Sequence, residues 1–149
     1  MTRLLVVAIR RPFLDTTIFI AAFFPKEKHY ELGREIVIAA EEGSLGKPVI
    51  TDYILDETVT FVRRRKGVKE SIEVLDTLLS SPKLTLIKVE DRHVEAGAQI
   101  FRRYERLSFT DAVSVAVMRD LDINIIYSFD SGFDGIPGIT RLTTIRNTP

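Results

Sequence analysis

Phe13-Leu14-Asp15-Thr16-Thr17-Ile18-Phe19-Ile20-Ala21-Ala22-Phe23-Phe24-Pro25 is the stretch on which the reading of the fold turns. An apolar run leads through Phe13 and Leu14 to Asp15. The apolar segment Ile18 to Phe24 follows, and Pro25 stops it because proline has no amide proton with which to continue a helix. That is strand, turn, helix, with an acidic residue at the turn.

The same alternation continues outward. From His29 to Glu42, Leu32, Ile36, Val37 and Ala40 recur at helical spacing, and Gly43 supplies a C-terminal cap. Pro48 to Thr51 reads as a second strand, and Asp52 is placed to cap the next helix. The apolar positions of that helix are Ile54, Leu55, Val59 and Val62, ahead of a basic end and Gly67. Another helix carries Ile72, Leu75, Leu78 and Leu79. Lys83 to Val89 alternates as a strand does, and Asp91 to Tyr104 has the period of an amphipathic helix. Ala112 to Leu121 is apolar nearly all round and is expected to be a buried helix. Asn124 to Phe129 is then a strand ending at Asp130, and Ile139 to Leu142 would close one edge. Short apolar runs alternating with helical segments predict α/β units on a mainly parallel sheet of four to five strands.

The 149 residues, 45% of them hydrophobic, suffice for one domain, 1–149, with a sizeable core. Equal numbers of basic and acidic residues, 21 of each, leave no net charge to draw the protein onto polyanions, so any nucleic-acid surface is local. The absence of cysteine excludes disulfides, thiolate zinc sites and a thiol nucleophile. His29 and His93 have no second histidine at zinc-ligand spacing. The apolar stretch Leu4 to Ile9 is too short to span a bilayer and meets Arg10, Arg11 and Pro12 where a signal peptide would need a cleavage site. A cytoplasmic protein is expected.

Carboxylates are what remain abundant. Asp15 and Asp130 fall at carboxyl ends of strands and Asp111 at the start of a helix, where α/β folds place ligand sites; Glu57 lies in the helix after the second strand. Brought into one crevice, four carboxylates are unfavourable unless they bind a cation or a proton, and an all-oxygen donor set suits Mg²⁺ or Mn²⁺. Each acid also has a plainer reading. Asp15 could cap its helix, Ser108-Phe109-Thr110-Asp111 has the form of a capping box, Glu57 could be solvated like Asp56, and Asp130 could serve a turn. A calcium loop at Asp130 to Gly135 is rejected, since the third position is Gly132 and the twelfth is Arg141.

Leu14-Asp15-Thr16-Thr17, Asp56-Glu57-Thr58, Phe109-Thr110-Asp111-Ala112 and Ser128-Phe129-Asp130 with Phe133 occur in the order found in the PIN-domain family, which the chain resembles over nearly its whole length. The resemblance implies a three-layer α/β/α sandwich and a VapC-type toxin ribonuclease of a type II toxin–antitoxin pair, acting on RNA as a homodimer, with a possible cognate antitoxin protein. It also implies that Asp15, Glu57, Asp111 and Asp130 are catalytic and hold Mg²⁺ (or Mn²⁺), with Asp134 as a fifth acid and Thr16, Thr110 and Ser128 as supporting hydroxyls. The segment before Phe13 is longer than the family pattern. The alternative in another class is a non-cleaving PIN-fold RNA-binding or scaffold protein, against which the retention of all four acids argues.

An ion at such a site activates water for in-line attack, leaving a 5′-phosphate and a 3′-hydroxyl, whereas attack by the RNA's own 2′-hydroxyl leaves a cyclic phosphate. Arg63, Arg64, Arg65 and Lys66 at one helix end, and Arg102, Arg103 and Arg106 near another, are candidate phosphate contacts, although helix C-termini favour basic residues in any case. Tyr53 and Tyr104 are candidates for base stacking or half-buried packing, and Phe13, Phe23 and Phe24 for the core. A haloacid-dehalogenase-type phosphatase would need an aspartate where Thr17 stands. A phosphoacceptor receiver domain would need an acidic pair before Asp15.

Overall fold

In a computed structural model describing residues 11–147, the elements follow the expected alternation. They are β1 (Phe13–Leu14), α1 (Thr16–Phe23), α2 (Tyr30–Glu41), β2 (Val49–Thr51), α3 (Asp52–Lys66), α4 (Val68–Ser80), β3 (Thr85–Ile87), α5 (Asp91–Arg103), α6 (Phe109–Asp120), β4 (Ile125–Tyr127) and β5 (Thr140–Leu142). The Leu4 to Ile9 stretch lies outside the described residues. Each strand is shorter than the apolar run that announced it, because only the residues that pair with a neighbour count as strand.

All five strands are parallel, in the order β3-β2-β1-β4-β5, with Phe13 opposite both Val49 and Ile126. The chain adds strands to one side of β1 and then crosses to the other. Since crossovers between parallel strands are right-handed, α1 to α4 cover one face of the sheet and α5 and α6 the other, which gives the α/β/α sandwich. The reversal makes the carboxyl ends of β1 and β4 a topological switch point, the place where open α/β sheets bind ligands.

The core lies where the apolar periods predicted. Phe13, Leu14, Ile18, Ile36, Ile50, Ile54, Ile126 and Tyr127 are fully buried, and α6 is buried continuously from Asp111 to Met118. Phe24 joins this core and Phe23 packs half-buried against it. Gly97 on α5 is required for its contact with α6, since a Cβ there would stand 2.8 Å from the Val113 side chain. The same two helices are tied by His93, whose Nδ1 accepts from the Glu90 amide while Nε2 meets Asp120 at 2.8 Å. Two expectations need correction. Asp52 does not cap α3; Thr51 does, accepting from the Ile54 amide, while Asp52 accepts from the Val89 amide, two residues beyond the end of β3. On α4, Leu78 is buried but Ile72 and Leu79 are exposed, so that apolar period does not all face the core. Among the described residues no helix is long and apolar enough to cross a membrane.

Candidate active site

Asp15 leaves β1 at the centre of the sheet and is 2% exposed. It occupies the N-cap position of α1, where the Thr17 amide favours its anion although the side chain makes no full capping hydrogen bond. Its Oδ2 instead accepts from Thr17 Oγ1 at 2.8 Å and from Ser128 Oγ at 2.7 Å. Each hydroxyl has one proton and directs it at Asp15, so the 3.3 Å between the two hydroxyl oxygens is proximity. Burial raises the affinity of the Asp15 carboxyl for a proton; the two hydroxyls oppose that rise, and the charge of Glu57 adds to it.

The threonine hydroxyl that reaches Asp15 is that of Thr17, one position beyond the expected Thr16. Among the described residues Thr16 Oγ1 is buried without a hydrogen-bond partner, whereas Thr17 donates to Asp15 and accepts from the Phe129 amide at 3.0 Å. Ser128, the other expected hydroxyl on this side, donates to Asp15. Fully buried after β4, its hydroxyl also accepts from the Asp130 amide at 3.0 Å, so one oxygen joins the two strand ends that carry Asp15 and Asp130. Asp130 turns its Oδ1 back onto the Gly132 amide at 2.8 Å. Gly132 cannot be larger, because a Cβ would lie 2.7 Å from the Arg106 carbonyl oxygen.

Asp111 takes part in a helix cap and also sits among other acids. It forms the capping box with Ser108, each residue's side chain accepting from the other's amide at 3.1–3.2 Å. Yet its proton affinity is pushed up to about 7, first by burial, then by the charges of Asp15 and Asp130, against the Ser108 hydrogen bonds that favour the anion. Glu57 is exposed on α3, its charge felt at Asp15, and Thr110 lies half-buried beside it along a groove. The four acids therefore form a chain of electrostatic neighbours, Glu57 to Asp15 to Asp111 to Asp130. Among the described residues they do not close into a cage of three acids around one point.

Asp134 stands apart from them. Arg141 on β5 holds both of its oxygens, Nε at 2.8 Å from Oδ1 and Nη2 at 2.9 Å from Oδ2, and the guanidinium keeps this carboxyl well below its ordinary range. The expectation of a fifth metal-binding acid thus falls on a carboxylate that is paired with Arg141. Arg141 also donates to the Ser128 carbonyl, so the same guanidinium braces the loop that presents Asp130.

The first basic cluster disperses. Arg63 donates to Ser71 Oγ, Arg65 lies over the Phe24 and Phe61 rings, and Lys66 donates to the Phe23 carbonyl. Arg64 alone of the four lines the groove beside Glu57. In the second cluster Arg106 donates to Ser131 Oγ next to Asp130, Arg103 covers the half-buried Tyr104 ring, and Arg102 is exposed.

The PIN domain family model matches residues 13–139. A VapC ribonuclease of Archaeoglobus fulgidus is 34% identical over 131 residues, which cover 86% of this chain and 81% of that protein. Among solved structures, Mycobacterium tuberculosis VapC20, described as a toxin cleaving the sarcin–ricin loop, superposes with a TM-score of 0.70 at 24% identity, over 80% of this chain and 89% of the other. A chain of a toxin–antitoxin complex from Klebsiella pneumoniae superposes with a TM-score of 0.60 at 17% identity, over 87% and 95% of the two chains.

Proposed function

The chain belongs to the PIN-domain family and to its VapC ribonucleases, and on that premise we propose that it is a cytoplasmic, metal-dependent endoribonuclease, the toxin of a toxin–antitoxin pair, with its chemistry at Asp15, Glu57, Asp111 and Asp130. The observation that carries the reading is electrostatic. Burial and two neighbouring carboxylates push Asp111 up to about 7, an arrangement unfavourable to folding that a bound cation would relieve.

The donor set fits Mg²⁺ or Mn²⁺. Such an ion keeps several waters and is held by one or two carboxylates, so Asp15 with Asp111 or Asp130 suffices and no closed cage is needed. When bound it would lower the pKa of a water and offset charge on the phosphodiester. The protein's own residues do the rest. Ser128 and Thr17 fix the Asp15 carboxylate by donating to Oδ2, and among the described residues Oδ1 has no side-chain hydrogen bond. Asp111, near neutrality in its proton affinity, is suited to hold or release the proton of the attacking water. Arg106, beside the Asp130 loop, would meet a phosphate.

Cleavage of a mixed RNA pool is expected with Mn²⁺, to be abolished by EDTA, and to leave 5′-phosphate ends. An inactive protein that still binds RNA would instead establish the non-cleaving reading.

A homodimer and a cognate antitoxin belong to the same reading, the latter supported by the toxin–antitoxin assembly of the Klebsiella relative. An exposed apolar patch supports the dimer. Phe101 and Phe109, 46% and 38% exposed, form an edge-to-face pair with centroids 5.8 Å apart where α5 and α6 meet. Sedimentation at tens of micromolar, roughly tenfold or more above ordinary dimer dissociation constants, is expected to give twice the 16.9 kDa chain mass. Phe101→Glu should return the monomer. A monomeric wild type at that concentration overturns the dimer.

A further inference from the structure

The groove beside the acidic chain is about 380 Å³ and is lined by Tyr53, Asp56, Glu57, Thr60, Phe61, Arg64 and, from the start of α6, Thr110. The first six recur on α3 at spacings of three and four, so they share one face of that helix. Two of them are unexplained by the chemistry above. Asp56 accepts only a 3.3 Å hydrogen bond from Thr60, and Arg64 has no ion-pair partner among the described residues. An exposed helix face stabilised for its own sake would place the acid four residues before the cation. Here those positions hold Thr60 and Phe61, and acid and cation stand at opposite ends of an aromatic-walled groove.

We infer that this face of α3 is a base-reading subsite, taking an unpaired guanine stacked on the Tyr53 ring with its Watson–Crick edge on the Asp56 carboxylate and a neighbouring phosphate on Arg64. The inference rests on the ribonuclease reading, because the groove opens beside Glu57 and Thr110. Single-stranded RNA is recognised through splayed bases that stack on aromatic rings and are read on their edges. A carboxylate has only acceptors. Guanine alone among the four bases presents a ring N–H and an exocyclic amino group side by side, so it alone can donate twice to one carboxylate. Adenine and cytosine offer one amino donor beside an acceptor that Asp56 would repel, and uracil offers one N–H flanked by carbonyls.

The test uses four pentanucleotides, UUGUU, UUAUU, UUCUU and UUUUU, with binding read by anisotropy in EDTA and cleavage read with Mn²⁺. Wild type is expected to bind UUGUU about tenfold more tightly than the others, in keeping with bidentate base contacts, and to express the preference in KM rather than kcat. Asp56→Asn should bring all four within about twofold, whereas Tyr53→Leu should weaken all four alike. Equal wild-type binding of the four, or a guanine preference that survives Asp56→Asn, overturns the subsite. Equal binding of UUGUU and UUAUU overturns the role of Asp56. Guanine-selective binding without any cleavage overturns the ribonuclease reading and leaves the subsite standing; cleavage indifferent to the central base does the reverse.

Discussion

Asp111→Asn is expected to abolish cleavage while leaving the metal-free protein as stable as wild type or more so. Asparagine keeps the helix cap, since its side-chain oxygen can accept from the Ser108 amide as Asp111 Oδ2 does at 3.2 Å. What it removes is a charge that burial, Asp15 and Asp130 all disfavour. The folded carboxyl binds its proton up to about 7, against 3.8 ordinarily, so the folded state holds more protons than the unfolded one across that window. Its contribution to stability is therefore fully present below about pH 4 and is lost as pH rises toward 7 and beyond. Each tenfold change in proton affinity corresponds to about 1.4 kcal/mol. Without metal, the melting temperature of wild type should fall relative to Asp111→Asn between pH 4 and 7. At neutral pH, Mn²⁺ should raise the wild type far more than the variant, because a ligand stabilises only the state that binds it. An active Asp111→Asn protein with an undiminished Mn²⁺ shift would reduce Asp111 to a helix cap.

The second large effect is expected at Ser128. Ser128→Ala takes one of two hydroxyl donors from the buried Asp15 and leaves the Asp130 amide without its acceptor. Unpaired buried polar groups cost roughly 1 to 3 kcal/mol. Because that hydrogen bond favours the ionised Asp15, its loss raises the proton's competition with a cation as well. Disturbing the outer partners of a metal ligand costs about 10- to 100-fold in affinity or activity, and Ser128→Ala should lie in that range for both Mn²⁺ dependence and cleavage. The two threonines sharpen the test. Thr17→Val should behave like Ser128→Ala, whereas Thr16→Val, which removes a hydroxyl without a partner among the described residues, should keep wild-type cleavage and stability. Calorimetry and cleavage rates on the three variants decide it; a silent Ser128→Ala overturns this account of how Asp15 is held.

The fold was legible because hydrophobic period is a local property. β1 followed by α1, with Pro25 closing the unit, needs no information from elsewhere in the chain, and the buried α6 was visible in its unbroken apolar run. The choice between Thr16 and Thr17 was not local. It depends on which side of the first turn of α1 meets Ser128, 111 residues beyond Thr17. The pairing of Asp134 is hidden for a similar reason, because its partner Arg141 reaches it only once β5 is in register beside β4. The dispersal of Arg63 to Lys66 could have been foreseen, since consecutive helical residues point in different directions and cannot form one patch. The setting of Asp111 was visible only in space, where the charges of Asp15 and Asp130 bear on a residue whose local sequence spells a cap.

The Ser128 bridge also sets the order in which the protein can become dangerous to its host. Asp15 and the hydroxyl that fixes it are 113 residues apart. Synthesis of that interval takes roughly 6 to 23 s at ordinary elongation rates of about 5 to 20 residues per second. During that time β1 can pair with β2 but not with β4, and Asp15 has no neighbour from the far side of the sheet. A chain still being translated, or one broken off before Tyr127, is thus unarmed. The Asp15 site closes only once β4 and Ser128 have been made, so the residues that begin it wait for those that complete it.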